Sequence, residues 1–207
     1  MKKKRSSSSY HWIKKHFNDQ YVQEAHSKKL RSRAWFKLEQ INKSEKIFKN
    51  GMIIIDLGSS PGGWSQYAQK YIQKKGMIIS CDIMPMKPIQ KVKFFQGDFF
   101  DSFFLEKITK CLNNKKAHII MSDMSPNLSG ISAIDIPKSI NLLNSVLNFS
   151  CNFLRNNGTL LTKTFLGKDF DQCFKNFHSI FKEIKIIKPI ASKLTSREVY
   201  ILAKERH

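Results

Sequence analysis

The sequence predicts an α/β protein: a doubly wound, mostly parallel sheet covered by helices on both faces. Three observations predict it. The stretch M-I-I-I-D-L-G-S-S-P-G-G-W, residues 52–64, is a β-branched run that enters a turn containing Gly58, Pro61, Gly62 and Gly63. Such a run, bounded by Gly and Pro, reads as a buried strand of a parallel sheet. The segment after it places apolar or aromatic residues at 64, 67, 68, 71 and 72, one face of a helix. Strand-like and helix-like stretches then alternate along the chain, the pattern that builds parallel sheets.

The elements follow in order. Residues 1–9 are basic and serine-rich, the composition of a disordered arm. From Trp12 to Leu30 aromatic and basic residues interleave, among them Lys14, Lys15, Phe17, Tyr21, Lys28 and Lys29. This suits a helix with its aromatics on the domain, and its basic face is free to meet phosphates. R-S-R-A-W-F-K-L-E-Q-I then starts a second helix, with Lys37 lying among Trp35, Leu38 and Ile41 rather than opposite them. We divide the chain into a basic arm and helix over residues 1–28 and an α/β domain over residues 29–207.

After the glycine turn and its helix, G-M-I-I-S-C-D-I is a second strand ending at Asp82. V-K-F-F-Q-G-D-F is a third, ending at Asp98. Residues 103–113 read as a helix, and A-H-I-I-M-S-D as a fourth strand ending at Asp123. Residues 124–132 are polar and marked by Gly and Pro, an active-site loop. A long helix opens at Asp135 or Pro137 and runs to about Arg155, where Asn156-Asn157-Gly158 stops it. T-L-L-T-K-T-F is the fifth strand, with Lys163 near its carboxyl end. Residues 167–182 are helical apart from the first few. E-I-K-I-I-K-P and R-E-V-Y-I-L-A-K form two final strands around the loop 190–196.

Composition limits the partners. The 207 residues carry 36 Lys and Arg against 16 Asp and Glu, a net charge of +20. Residues 1–50 hold 14 of the cations and four of the acids. Such an excess favours a polyanion, most simply nucleic acid. The cysteines at 81, 111, 151 and 173 are widely spaced and form no C-x-x-C pair, which fits reduced thiols rather than a zinc site. The basic start M-K-K-K-R is followed by S-S-S-S-Y-H-W rather than by an apolar segment, and no apolar run reaches membrane-spanning length. We expect a soluble, cytoplasmic monomer.

The chemistry gathers at one edge. The glycine spacing is neither G-x-G-x-x-G nor a Walker loop, which argues against a dinucleotide or a nucleoside triphosphate. Asp82 stands about twenty residues past the glycines at a strand's carboxyl end, where it is a ribose acceptor or else a turn residue. Lys163 lies in a run that reads as a central strand, and a lysine there is costly unless paired or shifted in pKa. Ligands of open α/β sheets bind outside the carboxyl ends of the strands. Asp123 and Lys163 both sit at such ends. If the last strand runs antiparallel, Glu198 begins it at the same edge, so the three converge beside the glycine turn.

The turn D-L-G-x-x-P-G-G-W resembles the first motif of S-adenosylmethionine (SAM) dependent methyltransferases, in which it lies against the methionine part of the cofactor. Together with S-R-A-W-F-K-L, Q-G-D-F, M-S-D-M-x-P-N-x-S-G, D-I-P and S-R-E-V-Y, it is similar to the FtsJ/RrmJ family of ribosomal RNA 2′-O-methyltransferases, in order from residue 30 onward. The resemblance implies a Rossmann-like SAM-dependent methyltransferase fold over residues 29–207. It also implies a mostly parallel seven-stranded sheet whose last strand is antiparallel. It puts a catalytic tetrad on Lys37, Asp123, Lys163 and Glu198, and cofactor contacts on Gly62, Trp64, Asp82, Asp98 and Asp123. Ser59-Ser60 stands where the family has small Ala residues, and T-K-T-F where it has V-K-V-F.

The implied substrate is a uridine ribose in the A-loop of 23S ribosomal RNA, within the large subunit. The implied reaction is attack of the 2′-oxygen on the SAM methyl carbon, without a metal. Lys163 acts either as a neutral base, helped by like-charge repulsion from Lys37, or as an ammonium that steers the 2′-oxygen. Transfer RNA as the substrate, or a non-catalytic RNA-binding assembly factor, are the alternatives. A dehydrogenase is disfavoured by the turn.

Overall fold

The computed structural model describes residues 19–73, 75–167, 170–193 and 195–207. The arm over residues 1–9 and the interleaved stretch up to residue 18 therefore lie outside the described residues. Among the described residues, two helices precede the sheet. Helix α1 (Gln20–Ser27) is capped by Asp19, whose carboxylate accepts the Tyr21 N–H at 3.0 Å, satisfying a donor at the helix start. It docks through Tyr21 against Phe36 of α2 (Ala34–Glu45) and through an Asp19–Arg33 ion pair of 2.8 Å.

The sheet then builds in alternation. Its elements are β1 (Ile53–Leu57), α3 (Gly63–Ile72), β2 (Met77–Asp82), β3 (Val92–Gln96), α4 (Ser102–Leu112) and β4 (Ala117–Ser122). They continue with α5 (Ser132–Phe153), β5 (Leu154–Phe165), α6 (Phe170–His178), β6 (Phe181–Ile187) and β7 (Glu198–Arg206). Seven strands lie in the order β3-β2-β1-β4-β5-β7-β6. The first five are parallel, and β7 is antiparallel to both β5 and β6, as expected. The order turns back between β1 and β4, and this switch point opens a crevice at their carboxyl ends.

Strand β1 is buried along its whole length because both faces are covered. Its successive side chains serve two layers. Ile54 joins Trp35, Leu38, Ile41, Tyr67 and Ile72 under α2 and α3. Ile55 and Leu57 join Phe104, Ile108, Leu143, Leu147 and Phe177 under α4, α5 and α6. Each such aliphatic side chain contributes about 1.5–3 kcal/mol on burial. No helix among the described residues is long and apolar enough to cross a membrane.

Several boundaries differ from the sequence reading. Helix α5 opens at Ser132, because the Ile131 carbonyl accepts the Ile134 and Asp135 N–H groups and closes the first turn there. Pro137 is carried inside the helix rather than opening it. That helix ends at Phe153, and Asn156-Asn157-Gly158 is an irregularity within β5, not a stop. The β4–β5 register jumps from Ala117↔Leu154 to Ile119↔Thr159, and Asn157 takes a left-handed φ of 57°. A bulge and a helix stop draw on the same residue types, which is why the sequence did not separate them. Strand β3 stops at Gln96, leaving Asp98 in the loop beyond it, and α6 is shorter than the span 167–182 because β6 begins at Phe181.

Candidate active site

Strand direction brings the four tetrad side chains together. Asp123 follows β4 immediately, and Lys163 lies two residues before the end of the parallel neighbour β5. Glu198 opens the antiparallel β7 at the same edge, and Lys37 reaches in from α2. The lysines are separately partnered. Lys163 Nζ lies 3.0 Å from Asp123 Oδ1 and also donates to the Asp123 carbonyl. Lys37 Nζ donates to Glu198 Oε1 at 2.6 Å. The expected mutual repulsion of Lys37 and Lys163 is thus opposed by a counterion for each. The four side chains are between 8 and 18 % exposed. Burial pushes the Asp123 carboxyl up, but Lys163, Lys37 and the Tyr200 hydroxyl outweigh it and hold it below the usual carboxylate range.

Three groups that the sequence reading left unassigned complete the cluster. The Tyr200 hydroxyl donates to Asp123 Oδ1 at 2.7 Å and lies 3.4 Å from Glu198 Oε1. Ser192 Oγ donates to Glu198 Oε1 at 2.8 Å. Asp56, buried inside β1, accepts the Ser65 hydroxyl at 2.6 Å. Burial, with the nearby charges of Asp123 and Asp82, pushes Asp56 up to about 7 against that hydrogen bond. Tyr200 stands in the R-E-V-Y run, and its position two residues from Glu198 on a strand is the signal that both face one side.

The glycine turn supplies bare backbone beside this cluster. Gly58 has φ +71°, and a Cβ there would sit 2.1 Å from Met124 Cγ. Gly62 has φ +108°, and its Cβ would press on Arg31, Met86 and Ile89 at 2.9 Å. Side chains at either position would be both strained and crowded. The Arg31 guanidinium pins the turn from outside, donating to the carbonyls of Pro61, Lys87 and Pro88.

Two cavities meet here. The larger, about 630 Å³, is lined by Asp82, Ile83, Met84, Asp98, Phe99 and Asn127, among others. The smaller, about 240 Å³, is lined by Ser32, Lys37, Asp56, Ser59, Gly63 and Trp64, among others, and both include Gly58 and Asp123. Each Asp82 carboxylate oxygen accepts one backbone N–H, from Ser60 and from Met84, at 2.8 Å. Each retains a lone pair for a ligand. Asp98 Oδ1 accepts the Phe100 N–H at 3.0 Å. Gly62 caps α3 beside the smaller cavity. Trp64 lines that cavity with a buried ring, and its Nε1–H is committed to the Ala34 carbonyl at 2.9 Å. The hydroxyls of Ser32 and Ser59 line the same cavity and are buried without a hydrogen-bond partner among the described residues.

A family model for FtsJ-like methyltransferases matches residues 30–206. The chain belongs to the FtsJ-like methyltransferase family. It is 51 % identical over 201 residues to the ribosomal RNA large subunit methyltransferase E of Buchnera aphidicola subsp. Schizaphis graminum, covering 97 % of this chain and 98 % of the relative. Among solved structures it is similar to a Plasmodium falciparum protein assigned as a ribosomal RNA methyltransferase. That match has a TM-score of 0.77 and 28 % identity, and covers 85 % of this chain and 98 % of the other. Human methyltransferase-like protein 13, solved with SAH, shares the fold alone, at a TM-score of 0.58 and 11 % identity over 80 % of this chain and 82 % of its own. The Rossmann-like α/β sheet with its antiparallel β7 is therefore the architecture of an FtsJ-like methyltransferase.

Proposed function

We propose that the protein transfers a methyl group from SAM to the ribose 2′-oxygen of a uridine in the A-loop of 23S ribosomal RNA, within the large ribosomal subunit in the cytoplasm. The observation that carries this reading is the tetrad: two lysine–carboxylate pairs, Lys163–Asp123 and Lys37–Glu198, of which Asp123 lines both cavities and Lys37 the smaller one. The net charge of +20 and the ribosomal RNA activity in the names of two relatives support RNA as the acceptor.

The residues present fit the cofactor. Asp82 and Asp98 offer acceptors for ribose hydroxyls and an adenine amino group beside apolar Ile83, Met84 and Phe99. Trp64, Asp123 and the unpartnered Ser59 hydroxyl line the space for a polar tail, and Gly62 adjoins it between the lining residues Pro61 and Gly63. When bound, SAM supplies a methyl carbon carried on a positively charged sulfur. Lys163 spends two of its three donors on Asp123, leaving one for the 2′-oxygen. An ammonium so held would orient the oxygen's lone pair toward the methyl carbon; with SAM bound, the C–O bond would form as the C–S bond breaks, the thioether S-adenosylhomocysteine leaving and the hydroxyl proton passing to solvent. Lys37 and Glu198 flank the sugar, with Glu198 Oε2 open to accept a ribose hydroxyl. The basic arm over residues 1–28 holds RNA phosphates.

Transfer of tritium from labelled SAM to large-subunit RNA, followed by mapping of the methylated nucleotide in cells lacking the protein, tests this reading. The expected result is one missing 2′-O-methyl group on an A-loop uridine. Label appearing on transfer RNA redirects the substrate, and the absence of any transfer favours a non-catalytic assembly factor.

A further inference from the structure

We infer that Tyr200 is the positioning residue of the tetrad, with Ser192 as its counterpart on Glu198; the inference rests on the methyl-transfer reading above. Tyr200 neighbours all four members. It lies opposite Lys163 in the β5–β7 register, so the two side chains stand side by side on one face of the sheet. Its hydroxyl donates to Asp123 Oδ1, and Glu198, two residues earlier on the same strand, lies 3.4 Å from that hydroxyl. Lys37 Nζ lies 5.7 Å from the centre of its ring. The ring also packs against Trp64 of the glycine turn at 5.6 Å, linking the tetrad to the turn.

The pattern of occupied oxygens shows what this arrangement does. Tyr200 and Lys163 both bond to Asp123 Oδ1, while Lys37 and Ser192 both bond to Glu198 Oε1. One oxygen of each carboxylate is tied to the protein, and among the described residues no hydrogen bond engages Oδ2 or Oε2. A carboxylate anchored through one oxygen cannot rotate without breaking two hydrogen bonds. Tyr200 is itself immobile, being 0 % exposed in the core. A phenol is suited to this post because its ring fills core volume while its hydroxyl meets a charge. Ser192 is held on a pinned loop: the Ala191 N–H donates to Gln40 Oε1 at 2.9 Å, and Arg33 donates to the Ala191 carbonyl. Neither residue bonds to Asp82 or Asp98, and Tyr200 meets the larger cavity only through the Asp123 oxygen that Lys163 also holds, so both act chiefly on transfer rather than on SAM binding.

Tyr200→Phe keeps the ring, its Trp64 packing and its Lys37 contact, and removes one hydroxyl. The expected single-turnover transfer rate at saturating SAM and RNA falls about tenfold or more, the size of one missing charge-assisted hydrogen bond. SAM affinity and RNA affinity should stay within twofold of wild type. Ser192→Ala, which removes only the hydroxyl on Glu198, should slow transfer severalfold with the same unchanged affinities. A transfer rate within twofold of wild type overturns the assignment for that residue. A rate that falls only in step with SAM affinity or melting temperature, and recovers when the assay is cooled, overturns it in favour of a packing role. Failure of the wild-type protein to transfer any methyl group is a separate result, which removes the reaction itself rather than the role of Tyr200.

Discussion

At the scale of single residues, Lys163 is the sharpest test. Lys163→Ala should lower transfer by about 10²-fold or more while SAM affinity stays near normal, because the cavity acceptors are on Asp82 and Asp98. Lys163→Arg should also fail, since a planar guanidinium cannot take the place of an ammonium wedged against Asp123. Calorimetry and single-turnover assays on the same preparations decide this, and near wild-type transfer by folded Lys163→Ala would sink the assignment. Asp82→Ala removes two acceptor oxygens, and losing one charge-assisted bond costs about 1.5–3 kcal/mol, so SAM should bind at least tenfold more weakly. Unchanged affinity by calorimetry takes Asp82 out of the site.

Asp56 makes a residue-scale prediction about pH. Its folded pKa is raised to about 7 from an ordinary value near 4, with burial as the main cause. A group raised on folding contributes stability that is complete below its unfolded pKa and is lost as pH rises through the folded value. The melting temperature should therefore decline between about pH 4 and pH 7 through Asp56, and Asp56→Asn should flatten that decline. Melts of both proteins across this window check it; parallel curves would show that Asp56 ionises normally.

At the scale of elements, the loop between β4 and α5 is held by one carboxylate. Asp135 accepts the Ser129 N–H at 2.8 Å, the Ser129 hydroxyl at 2.9 Å and the Gly130 N–H at 2.9 Å. These bonds, led by the Ser129 N–H, hold its pKa down. A depressed carboxyl contributes order that is present above its unfolded pKa and lost as pH falls through the folded value. Since Ser125, Pro126 and Asn127 of this loop line the larger cavity, Asp135→Ala should loosen the cofactor site without unfolding the domain. Amide exchange at 129–130 should quicken about tenfold, SAM affinity should fall, and the melting temperature should move by less than about 2 °C. Unchanged exchange at those amides would show that the loop is held elsewhere.

At the scale of the whole molecule, charge is concentrated where chemistry is absent. Residues 1–18 carry six Lys or Arg and no acid. Helix α1 behind them is docked through Asp19 to Arg33 and through Tyr21 to Phe36, so removing residues 1–18 spares the packing described above. That deletion should leave SAM affinity unchanged and weaken RNA binding, with a shallower dependence of log K on log salt, by about 0.7–0.9 for each phosphate no longer neutralised. Filter binding from low to moderate salt measures the slope. An unaltered slope would move the phosphate-binding face to the domain surface around Lys175 and Lys182.

The sequence by itself determined the alternating sheet and the glycine turn. It also put Asp123 and Lys163 at one edge, and Glu198 with them on the condition that the last strand runs antiparallel. Periodicity shows which elements are strands, and strand direction then dictates which ends meet. Tertiary structure alone decided how the charges pair. The family resemblance put Lys37, Lys163 and the two carboxylates in one cluster without saying which pairs with which; the structure gives each lysine its own carboxylate, because α2 packs Lys37 toward Glu198 while β4 and β5 set Lys163 beside Asp123. The sequence also could not reveal Tyr200 as the hub, because its partners lie 37 and 77 residues away across three strands. Nor could it tell the Asn156-Asn157-Gly158 bulge from a helix stop. Local residue preferences are common to both, and the choice rests on whether a neighbouring strand, here β4, takes up the hydrogen bonds on either side.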